Sequence, residues 1–381
     1  MDIDAKLEQI RGKGLERSLY ELPEAGGKFH MDGKEYINFS SNDYLDLSTD
    51  SRVKKAAADA AEKYGAGAGG SRLMCGTLPV HRELEEKISD FFGYNGALVF
   101  GSGFLANAGV ISALSGPGDT VFIDRLCHAS LIDGVRLSGA KWKRFAHNDT
   151  AGLEKMLGEK AGEGGKFIVA DSVFSMDGDI CPVEELKSLS EKYNAFLIID
   201  EAHAVGVFGG GRGICASKKI MPDIMTGTLS KALGGYGGFA ACGEKIRQLL
   251  INSARSFIFS TALPPASAGA GIMALGILKN EPGLGTALLE NAAYFHGLLK
   301  KSGFFVPEFS SQIIPVIIGD NEKAVAAAGA IQKQGIYARA IRPPTVPKGT
   351  ARIRLSVTLA HTRADLENAA IKIAGAVPGN G

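Results

Sequence analysis

The chain has 381 residues, of which 45% are hydrophobic, so it is long enough for two or three domains with a large buried core. Forty-two basic residues against 41 acidic ones leave a net charge of +1, which does not suggest nucleic acid or an anionic membrane surface as a partner. No apolar run reaches the roughly 18 residues that a spanning helix needs, and the first residues lack a signal-peptide pattern. We therefore expect no membrane contact and a cytoplasmic location.

The cysteines and glycines further narrow the class of protein that the composition indicates. There are five cysteines without paired C-x-x-C spacing, namely Cys75, Cys127, Cys181, Cys215 and Cys242. They predict reduced, mostly buried thiols and no metal site. The 50 glycines are nearly double the usual share of about 7% and cluster where strands meet helices. This distribution is typical of an α/β enzyme with many turns that face a ligand.

The first 44 residues predict a helix followed by a hairpin. Apolar residues such as Ile3 and Leu7 fit helical spacing imperfectly over residues 1–22. Asp32-Gly33 lies between two short strand-like runs, as a tight turn does. We treat residues 1–44 as an N-terminal segment.

Two glycine-rich stretches follow. Gly65-Ala-Gly-Ala-Gly-Gly-Ser-Arg72 has little side-chain volume, and taken alone it indicates a flexible linker. Gly101-Ser-Gly-Phe104 comes after a short apolar strand and opens a helix, which is a natural cradle for a phosphate. Many α/β turns carry Gly-x-Gly, so this second signal is weak by itself.

Further apolar runs end in polar residues. Thr120–Asp124 precedes His128, and Lys166–Asp171 precedes Ser175. His128 fits either a hydrogen-bonded loop histidine or a ring that stacks on a planar cofactor. Right-handed crossovers between such strand–helix units give a mostly parallel sheet. The strand ends then share one edge, which brings these side chains together.

Phe196-Leu-Ile-Ile-Asp200-Glu-Ala-His203 is an apolar run that ends in polar residues. It predicts a parallel strand buried on both faces, with Asp200 and His203 at the end where open α/β sheets bind ligands. An aspartate there can hold a pyridinium nitrogen protonated, and the histidine can bond the phenolic oxygen of the same ring.

Thr228-Leu-Ser-Lys231 follows another apolar run in a glycine-rich stretch, and Lys231 lies 31 residues beyond Asp200. A buried lysine loses its proton readily and becomes a nucleophile toward aldehydes, whereas the alternative is a surface turn with a solvated lysine. Thr228 and Ser230 offer hydroxyls to a phosphate. The aspartate and the lysine together have the pattern of fold-type I pyridoxal-phosphate enzymes.

The large α/β domain is predicted over residues 45–275 and a small C-terminal α/β domain over 276–381. A long helical tract from Ala266 to Lys301 connects them. In the strand at 352–357, alternation puts Arg352 and Arg354 on one face, where they suit a carboxylate or a solvated surface.

The chain resembles the α-oxoamine synthases, fold-type I pyridoxal-phosphate transferases that condense an amino acid with an acyl thioester and release carbon dioxide. The likeness covers nearly the whole sequence. It lies in Ser-Asn-Asp-Tyr-Leu at 41–45, Gly-Ser-Gly-Phe at 101–104, Asp-Arg-Leu-Cys-His-Ala-Ser-Leu at 124–131, Ser-Val-Phe-Ser-Met-Asp-Gly-Asp at 172–179, Asp-Glu-Ala-His at 200–203 and Thr-Leu-Ser-Lys-Ala-Leu-Gly-Gly at 228–235. Asp46 stands where many members of the family have glycine, and Ala204-Val205 replaces a common Gly-Thr after the histidine.

The resemblance implies a set of roles. Lys231 bonds the cofactor pyridoxal 5'-phosphate and transfers a proton, Asp200 pairs its ring nitrogen, and His128 stacks on the ring and contacts substrate. The remaining cofactor contacts are Gly103, Phe104, Ser175, His203 and Thr228. Arg354 binds the amino-acid carboxylate, and Arg17 and Thr345 contact substrate. A homodimer is implied, with Ser260-Thr261 near the partner's phosphate.

Residues 340–355 resemble the branch of the family that joins L-alanine to a pimeloyl thioester, carried by coenzyme A or acyl carrier protein, in biotin biosynthesis. Glycine acetyltransferases and the 5-aminolevulinate and serine palmitoyl enzymes share the core motifs and stay open. An aldolase or aminotransferase of the same fold is a further alternative. A nucleotide-binding protein is disfavoured because no ribose-binding acid follows a complete G-x-G-x-x-G.

Overall fold

The computed structural model describes residues 1–159 and 164–377. Its helices are α1 (Ile3–Gly12), α2 (Ser51–Tyr64), α3 (Pro79–Phe92), α4 (Gly103–Leu114), α5 (Ala129–Ser138), α6 (Thr150–Gly158), α7 (Val183–Lys192), α8 (Ile214–Ser217), α9 (Glu244–Ser253), α10 (Arg255–Ile258), α11 (Pro265–Asn280), α12 (Leu284–Lys301), α13 (Asn321–Lys333) and α14 (Arg363–Ala376). Its strands are β1 (Lys28–Met31), β2 (Lys34–Asn38), β3 (Gly96–Phe100), β4 (Thr120–Asp124), β5 (Lys141–Phe145), β6 (Lys166–Asp171), β7 (Ala195–Asp200), β8 (Ile224–Thr228), β9 (Gly238–Cys242), β10 (Ile313–Gly319), β11 (Ile336–Tyr337), β12 (Arg339–Ile341) and β13 (Ala351–Ser356).

The described residues divide into two compact units. The large unit comprises Leu45–Ser175 and Asp179–Thr286, and the small unit comprises Met1–Tyr44, Met176–Gly178 and the chain from Ala287 onward. None of the helices in the described part of the chain is both long and apolar enough to cross a bilayer.

The large unit is built on a seven-stranded sheet with the strand order β3-β9-β8-β7-β6-β4-β5. Strands β4 to β8 pair in parallel, and β9 is antiparallel to both β8 and β3. Six of the seven strands therefore run the same way, which confirms the mostly parallel sheet of an α/β fold. Their carboxyl ends lie at one edge.

The central strands of the sheet are buried because they are apolar on both faces. Ile198 in β7, Val169 in β6 and Ile224 in β8 are almost completely inaccessible and belong to one core cluster. Helix α4 covers this cluster with Val110 and Ile111. Helices packed on a parallel sheet in this way leave polar groups only at the strand ends.

The small unit contains two three-stranded sheets, β1-β2-β11 and β10-β13-β12. The β1–β2 hairpin turns at Asp32-Gly33 as predicted, and β13 pairs antiparallel with β10 and β12. Helices α13 and α14 complete this smaller α/β body.

One helix prediction was wrong in extent. The first helix ends at Gly12 instead of continuing to residue 22, because Gly14 adopts a left-handed conformation with φ of 61°. The helical tract expected from 266 to 301 is present and consists of two helices, α11 and α12. Glu281-Pro282-Gly283 separates them, since proline and glycine both disfavour a continuous helix.

The flexible linker predicted at Gly65–Arg72 was also wrong. The Arg72 guanidinium donates to both carboxylate oxygens of Glu85 at 2.8 and 3.0 Å, and both side chains are more than nine-tenths buried. The amide of Ala262 donates to the Gly70 carbonyl at 2.9 Å. The loop is therefore fixed by long-range bonds, which its composition does not reveal.

Candidate active site

The sheet of the large unit gathers the predicted cofactor-binding residues at one edge. Each follows the carboxyl end of a parallel strand: Gly103 and Phe104 after β3, His128 after β4, Ser175 after β6, Asp200 and His203 at and after β7, and Thr228 and Lys231 at and after β8. This arrangement explains how residues up to 128 positions apart in the chain become neighbours.

Asp200 is a buried carboxylate with two fixed hydrogen bonds. Its Oδ1 accepts from the amide of Ala202 at 2.8 Å, and its Oδ2 accepts from Asn107 Nδ2 at 2.6 Å. The side chain of Asp200 is 5% exposed, so these contacts hold its orientation. Asn107 in turn accepts at Oδ1 from the Thr226 hydroxyl at 2.6 Å.

His128 caps the N terminus of α5. Its backbone amide donates to Asp171 Oδ2 at 2.9 Å, and its Nδ1 lies 2.7 Å from Ser130 Oγ. The ring of Phe104 stands edge-on to the His128 ring, with centroids 6.5 Å apart. These contacts fix the backbone amide and the Nδ1 side of the His128 ring, although the residue as a whole is exposed.

The pKa of His128 is lowered from its ordinary value. Partial desolvation is the main cause, the Asp200 charge opposes it, and the positive charge of Lys231 acts in the lowering direction. The ring is therefore neutral around pH 7. These electrostatic effects also show that His128, Asp200 and Lys231 share one environment.

Lys231 lies in a turn directly after β8. The turn is closed by bonds from Leu229 N to the Gly237 carbonyl at 3.0 Å and from Gly234 N to the Lys231 carbonyl at 2.9 Å. Gly234 has φ of 64°, and a Cβ there would lie 2.3 Å from the Ser48 nitrogen, so only glycine fits.

The expectation that Lys231 is buried was wrong. The residue is half-buried. It stands three positions beyond the last residue of β8, so the sheet's apolar faces do not enclose it. The charge of Lys231 still acts on the pKa of His128.

The N terminus of α4 adjoins the end of β8. Gly103 starts the helix, and a Cβ on it would lie 3.3 Å from the Thr228 Cβ. Ser102 caps the helix through the amide of Leu105 at 3.2 Å. The first amides of α4 point out of the helix, so this end attracts an anion.

Thr228 and Ser230 have their hydroxyls engaged within the turn. Thr228 Oγ1 donates to the Gly237 carbonyl at 2.8 Å and accepts from the Ser230 amide at 3.1 Å. Ser230 Oγ lies 3.1 Å from the same carbonyl. In this conformation the Thr228 hydroxyl donates its hydrogen within the turn, to the Gly237 carbonyl. The Thr228 side chain also packs close to Gly103 at the N terminus of α4. Its role as a phosphate donor stays a prediction.

The remaining predicted cofactor contacts of the large unit, Ser175 and His203, follow the carboxyl ends of β6 and β7. Ser175 is half-buried in the segment after β6, and His203 is buried three residues after Asp200. Their roles stay predictions.

The small unit holds the predicted carboxylate-binding arginine. Arg354 in β13 is 8% exposed, and it donates from Nη1 to Ser356 Oγ at 2.8 Å and from Nη2 to the Tyr44 hydroxyl at 3.3 Å. Arg352 is 3% exposed and pairs with Asp177. The alternative of a solvated strand face was therefore wrong.

Arg17 and Thr345 lie together in the small unit. The Arg17 guanidinium donates to Thr345 Oγ1 at 3.3 Å. Both line a cavity of about 540 Å³ that also contains Arg339 and Arg342. Arg342 donates to the Gly14 carbonyl at 2.6 Å. Three arginines at one cavity favour an anionic ligand group.

Two residues of the site were missed by sequence reasoning. Asn107 is a single amide in the apolar turns of α4, and that isolated polarity was a usable signal. Asp171 ends β6 just as Asp200 ends β7. Their equivalent positions could have indicated a pair of acids.

The large unit offers the groups that pyridoxal phosphate requires. Lys231 supplies an amine for the aldehyde, Asp200 a fixed carboxylate for the pyridine nitrogen, and the first turn of α4 a site for the phosphate. The residues present therefore fit this cofactor.

Comparisons with known proteins give the same result. Residues 34–373 match the family model described as aminotransferase class I and II. A relative called 8-amino-7-oxononanoate synthase, from Geobacter sulfurreducens, is 44% identical over 98% of this chain and 97% of its own length.

Two solved structures are also similar. A variant of serine palmitoyltransferase from S. paucimobilis with a bound PLP–myriocin aldimine is 32% identical, with a TM-score of 0.92 over 98% of this chain and 96% of that chain. The 8-amino-7-oxononanoate synthase of Francisella tularensis is 30% identical, with a TM-score of 0.77 over 89% and 97%. The chain therefore belongs to the aminotransferase class I and II family and, within it, to the α-oxoamine synthases, fold-type I enzymes whose cofactor is pyridoxal 5'-phosphate.

Proposed function

We propose that this protein condenses L-alanine with a pimeloyl thioester to give 8-amino-7-oxononanoate, carbon dioxide and free thiol, a step of biotin biosynthesis. The α-carbon of alanine forms a bond to the acyl carbon, the thiol leaves, and the alanine carboxylate departs as carbon dioxide. The supporting observation is the 44% identity, over nearly the full length of both chains, to a relative with this activity in its name.

Pyridoxal phosphate, when bound, supplies an aldehyde for the amino acid and a ring that accepts the electron pair of the α-carbon. Asp200 is proposed to keep the pyridine nitrogen protonated, which strengthens that acceptance. Its carboxylate suits this role because the Ala202 amide and the Asn107 amide hold both oxygens in place.

Lys231 is proposed both to anchor the cofactor and to take the α-proton of alanine on Nζ. A half-buried lysine at the rim of a sheet can approach a substrate, and its turn is fixed by two backbone bonds. His128 is proposed to lie against the cofactor ring and to contact substrate, and its neutral state permits that contact without a charge penalty.

The other cofactor contacts are proposed to be Gly103, Phe104, Ser175, His203 and Thr228. Arg354 is proposed to bind the carboxylate of the amino acid, because Ser356 and Tyr44 fix its guanidinium within the small unit. Arg17 and Thr345 are proposed to contact the acyl substrate at the arginine-lined cavity.

We further propose a cytoplasmic homodimer in which Ser260-Thr261 contacts the partner's phosphate site. Thr261 is exposed and is bridged to Ser71, so the segment is held in place. A cytoplasmic location suits the five free cysteines, because thiols stay reduced in that compartment. We propose coenzyme A or acyl carrier protein as the acyl carrier. The proposed domains comprise residues 1–44, 45–275 and 276–381.

The test is a thiol-release assay with alanine, glycine or serine against pimeloyl-, acetyl- or palmitoyl-coenzyme A, followed by mass analysis of the product. Alanine with the pimeloyl thioester should give the highest kcat/KM. A preference for glycine with the acetyl thioester would replace the proposal with a glycine acetyltransferase. Serine with the palmitoyl thioester deserves inclusion because of the TM-score of 0.92 to a serine palmitoyltransferase.

A further inference from the structure

The orientation of the Asn107 amide is determined by its neighbours. Thr226 Oγ1 lies 2.6 Å from Asn107 Oδ1, while Asp200 Oδ2 lies 2.6 Å from Nδ2. A carboxylate oxygen only accepts, so the nitrogen of the amide must face Asp200 and its oxygen must face Thr226. Asn107 is 2% exposed, so this arrangement excludes competing water.

The second hydrogen of Asn107 Nδ2 is donated to the Ser130 hydroxyl oxygen. The distance from Nδ2 to Ser130 Oγ is 2.9 Å. Ser130 Oγ is also 2.7 Å from His128 Nδ1. The Ser130 backbone amide, which can only donate, lies 3.3 Å from the same Nδ1, so Nδ1 accepts and the hydroxyl hydrogen of Ser130 is directed to it.

His128 Nδ1 is therefore an acceptor. It receives the Ser130 hydroxyl and, at 3.3 Å, the Ser130 backbone amide. A hydrogen on Nδ1 would point at both donors, so the neutral ring carries its proton on Nε2. The lowered pKa of His128 is consistent with a neutral ring.

We infer that Asn107 and Ser130 are positioning residues that hold His128 as the Nε2-protonated tautomer, with one amide orienting both His128 and Asp200. At Nε2 the ring then offers an N–H donor and accepts no proton. This inference rests on the proposed roles of Asp200 and His128. It also gives a reason for the Asn107 side chain in α4, since that amide connects Asp200 directly, and His128 through Ser130.

The test is long-range ¹H–¹⁵N correlation NMR of the pyridoxal-phosphate-loaded full chain with ¹⁵N-labelled histidine, at a pH where the ring is neutral. His128→Gln identifies the signals. Wild type should show an unprotonated Nδ1 and a protonated Nε2. Ser130→Ala removes the shorter of the two donors and leaves Nδ1 only the longer bond from the backbone amide, so it should give a mixture of tautomers and reduce kcat by about tenfold with little change in KM.

Asn107→Ala should produce the same mixture and also weaken cofactor affinity by about tenfold, because Asp200 loses its amide donor. Should Asn107→Ala fail to fold, Ser130→Ala carries the test alone, since it leaves the Asn107–Asp200 bond in place. The matched control is Ser138→Ala, which removes a buried hydroxyl of the same helix that bonds the Val135 carbonyl. It should leave the spectrum unchanged.

A wild-type proton on Nδ1, or an unchanged spectrum in Ser130→Ala, would overturn the inference. The NMR measurement contains no substrate, so its result does not depend on which amino acid and thioester the enzyme uses. Failure of the proposed function in the thiol-release assay is thereby distinguished from failure of this inference.

Discussion

Asp171 and Asp200 are register partners at the carboxyl ends of two neighbouring parallel strands, β6 and β7. Both carboxyl groups are buried, at 3% and 5% exposure. Burial, and secondarily the charge of Asp200, raise the pKa of Asp171 well above its ordinary value. Asp171 therefore keeps its proton at pH values at which a free aspartate is ionised.

Asp171→Asn is expected to retain activity within about threefold, because an amide oxygen can still accept from the His128 amide. The folded state retains a proton on Asp171 that the unfolded chain releases above pH ~4, so this carboxyl destabilises the fold increasingly as pH rises. Urea unfolding should show the variant gaining stability relative to wild type between about pH 5 and pH 8. A gap that is independent of pH would contradict a protonated Asp171.

Asp200→Asn is expected to bind pyridoxal phosphate but to lose much more activity than occupancy, because an amide cannot hold a pyridine nitrogen protonated as an ion pair does. Cofactor content from absorbance and turnover with alanine and thioester would be measured together. Turnover within about tenfold of wild type, only ~1.4 kcal/mol in barrier, would show that the role assigned to Asp200 is wrong.

Lys231→Ala is expected to lower kcat by about 10³-fold or more, since it removes the residue proposed both to anchor the cofactor and to act as the base. The wild-type protein should be yellow, and its absorption band near the visible edge should disappear on borohydride treatment and in the variant. Exposed Lys54 in α2 provides the control, and Lys54→Ala should keep both colour and activity. A wild type that stays colourless with added pyridoxal phosphate would refute the assignment.

Arg72 and Glu85 form a buried bidentate pair, and Glu85 Oε1 also accepts from the Val99 amide at 3.0 Å. Arg72→Met should destabilise the protein by about 3–5 kcal/mol, because it leaves a buried carboxylate without its counter-charge. Adding Glu85→Gln to it should recover part of this loss, as measured by urea unfolding in a double-mutant cycle. Additive effects of the two changes would show that the pair is not coupled.

His147 is held between two carboxylates, with Nδ1 3.1 Å from Asp124 and Nε2 2.7 Å from Asp179. Burial alone would lower the pKa of His147, but the hydrogen bonds and charges of these acids outweigh it and raise the pKa to about 10. The stabilisation is complete below pH ~6.5, the unfolded pKa, and is lost as pH rises toward the folded value.

His147→Gln should therefore cost about 3 kcal/mol at pH 6, and the difference from wild type should shrink toward pH 10. Unfolding by urea across this range measures it. His30 is an exposed histidine, and His30→Gln should change stability by less than ~0.5 kcal/mol throughout. A constant penalty for His147→Gln up to pH 10 would contradict a charged His147.

Asp46 illustrates a departure from the family pattern that the structure explains. It adopts φ of 57°, in the left-handed region that glycine occupies most easily. Its carboxylate accepts from the Thr49 hydroxyl at 3.0 Å, a local bond of the kind that lets aspartate tolerate this conformation. The substitution therefore leaves the chain path intact.

The amino-acid sequence was enough to predict the mostly parallel sheet and to put His128, Asp200 and Lys231 at or just after the carboxyl ends of its strands. Apolar runs of strand length with polar ends are local signals, and parallel strands bring their carboxyl ends together in any such fold. The motifs around these residues were also sufficient for the family.

The long-range polar pairs, in contrast, became known from the three-dimensional packing. The Arg72–Glu85 pair fixes a loop whose glycines suggested flexibility, and Asn107 joins two site residues that the sequence connected only through their motifs. Lys231 proved half-buried because exposure depends on everything packed around a turn. Hydrophobic periodicity reports the faces of single elements, whereas hydrogen-bond partners depend on how those elements pack, which no local pattern encodes.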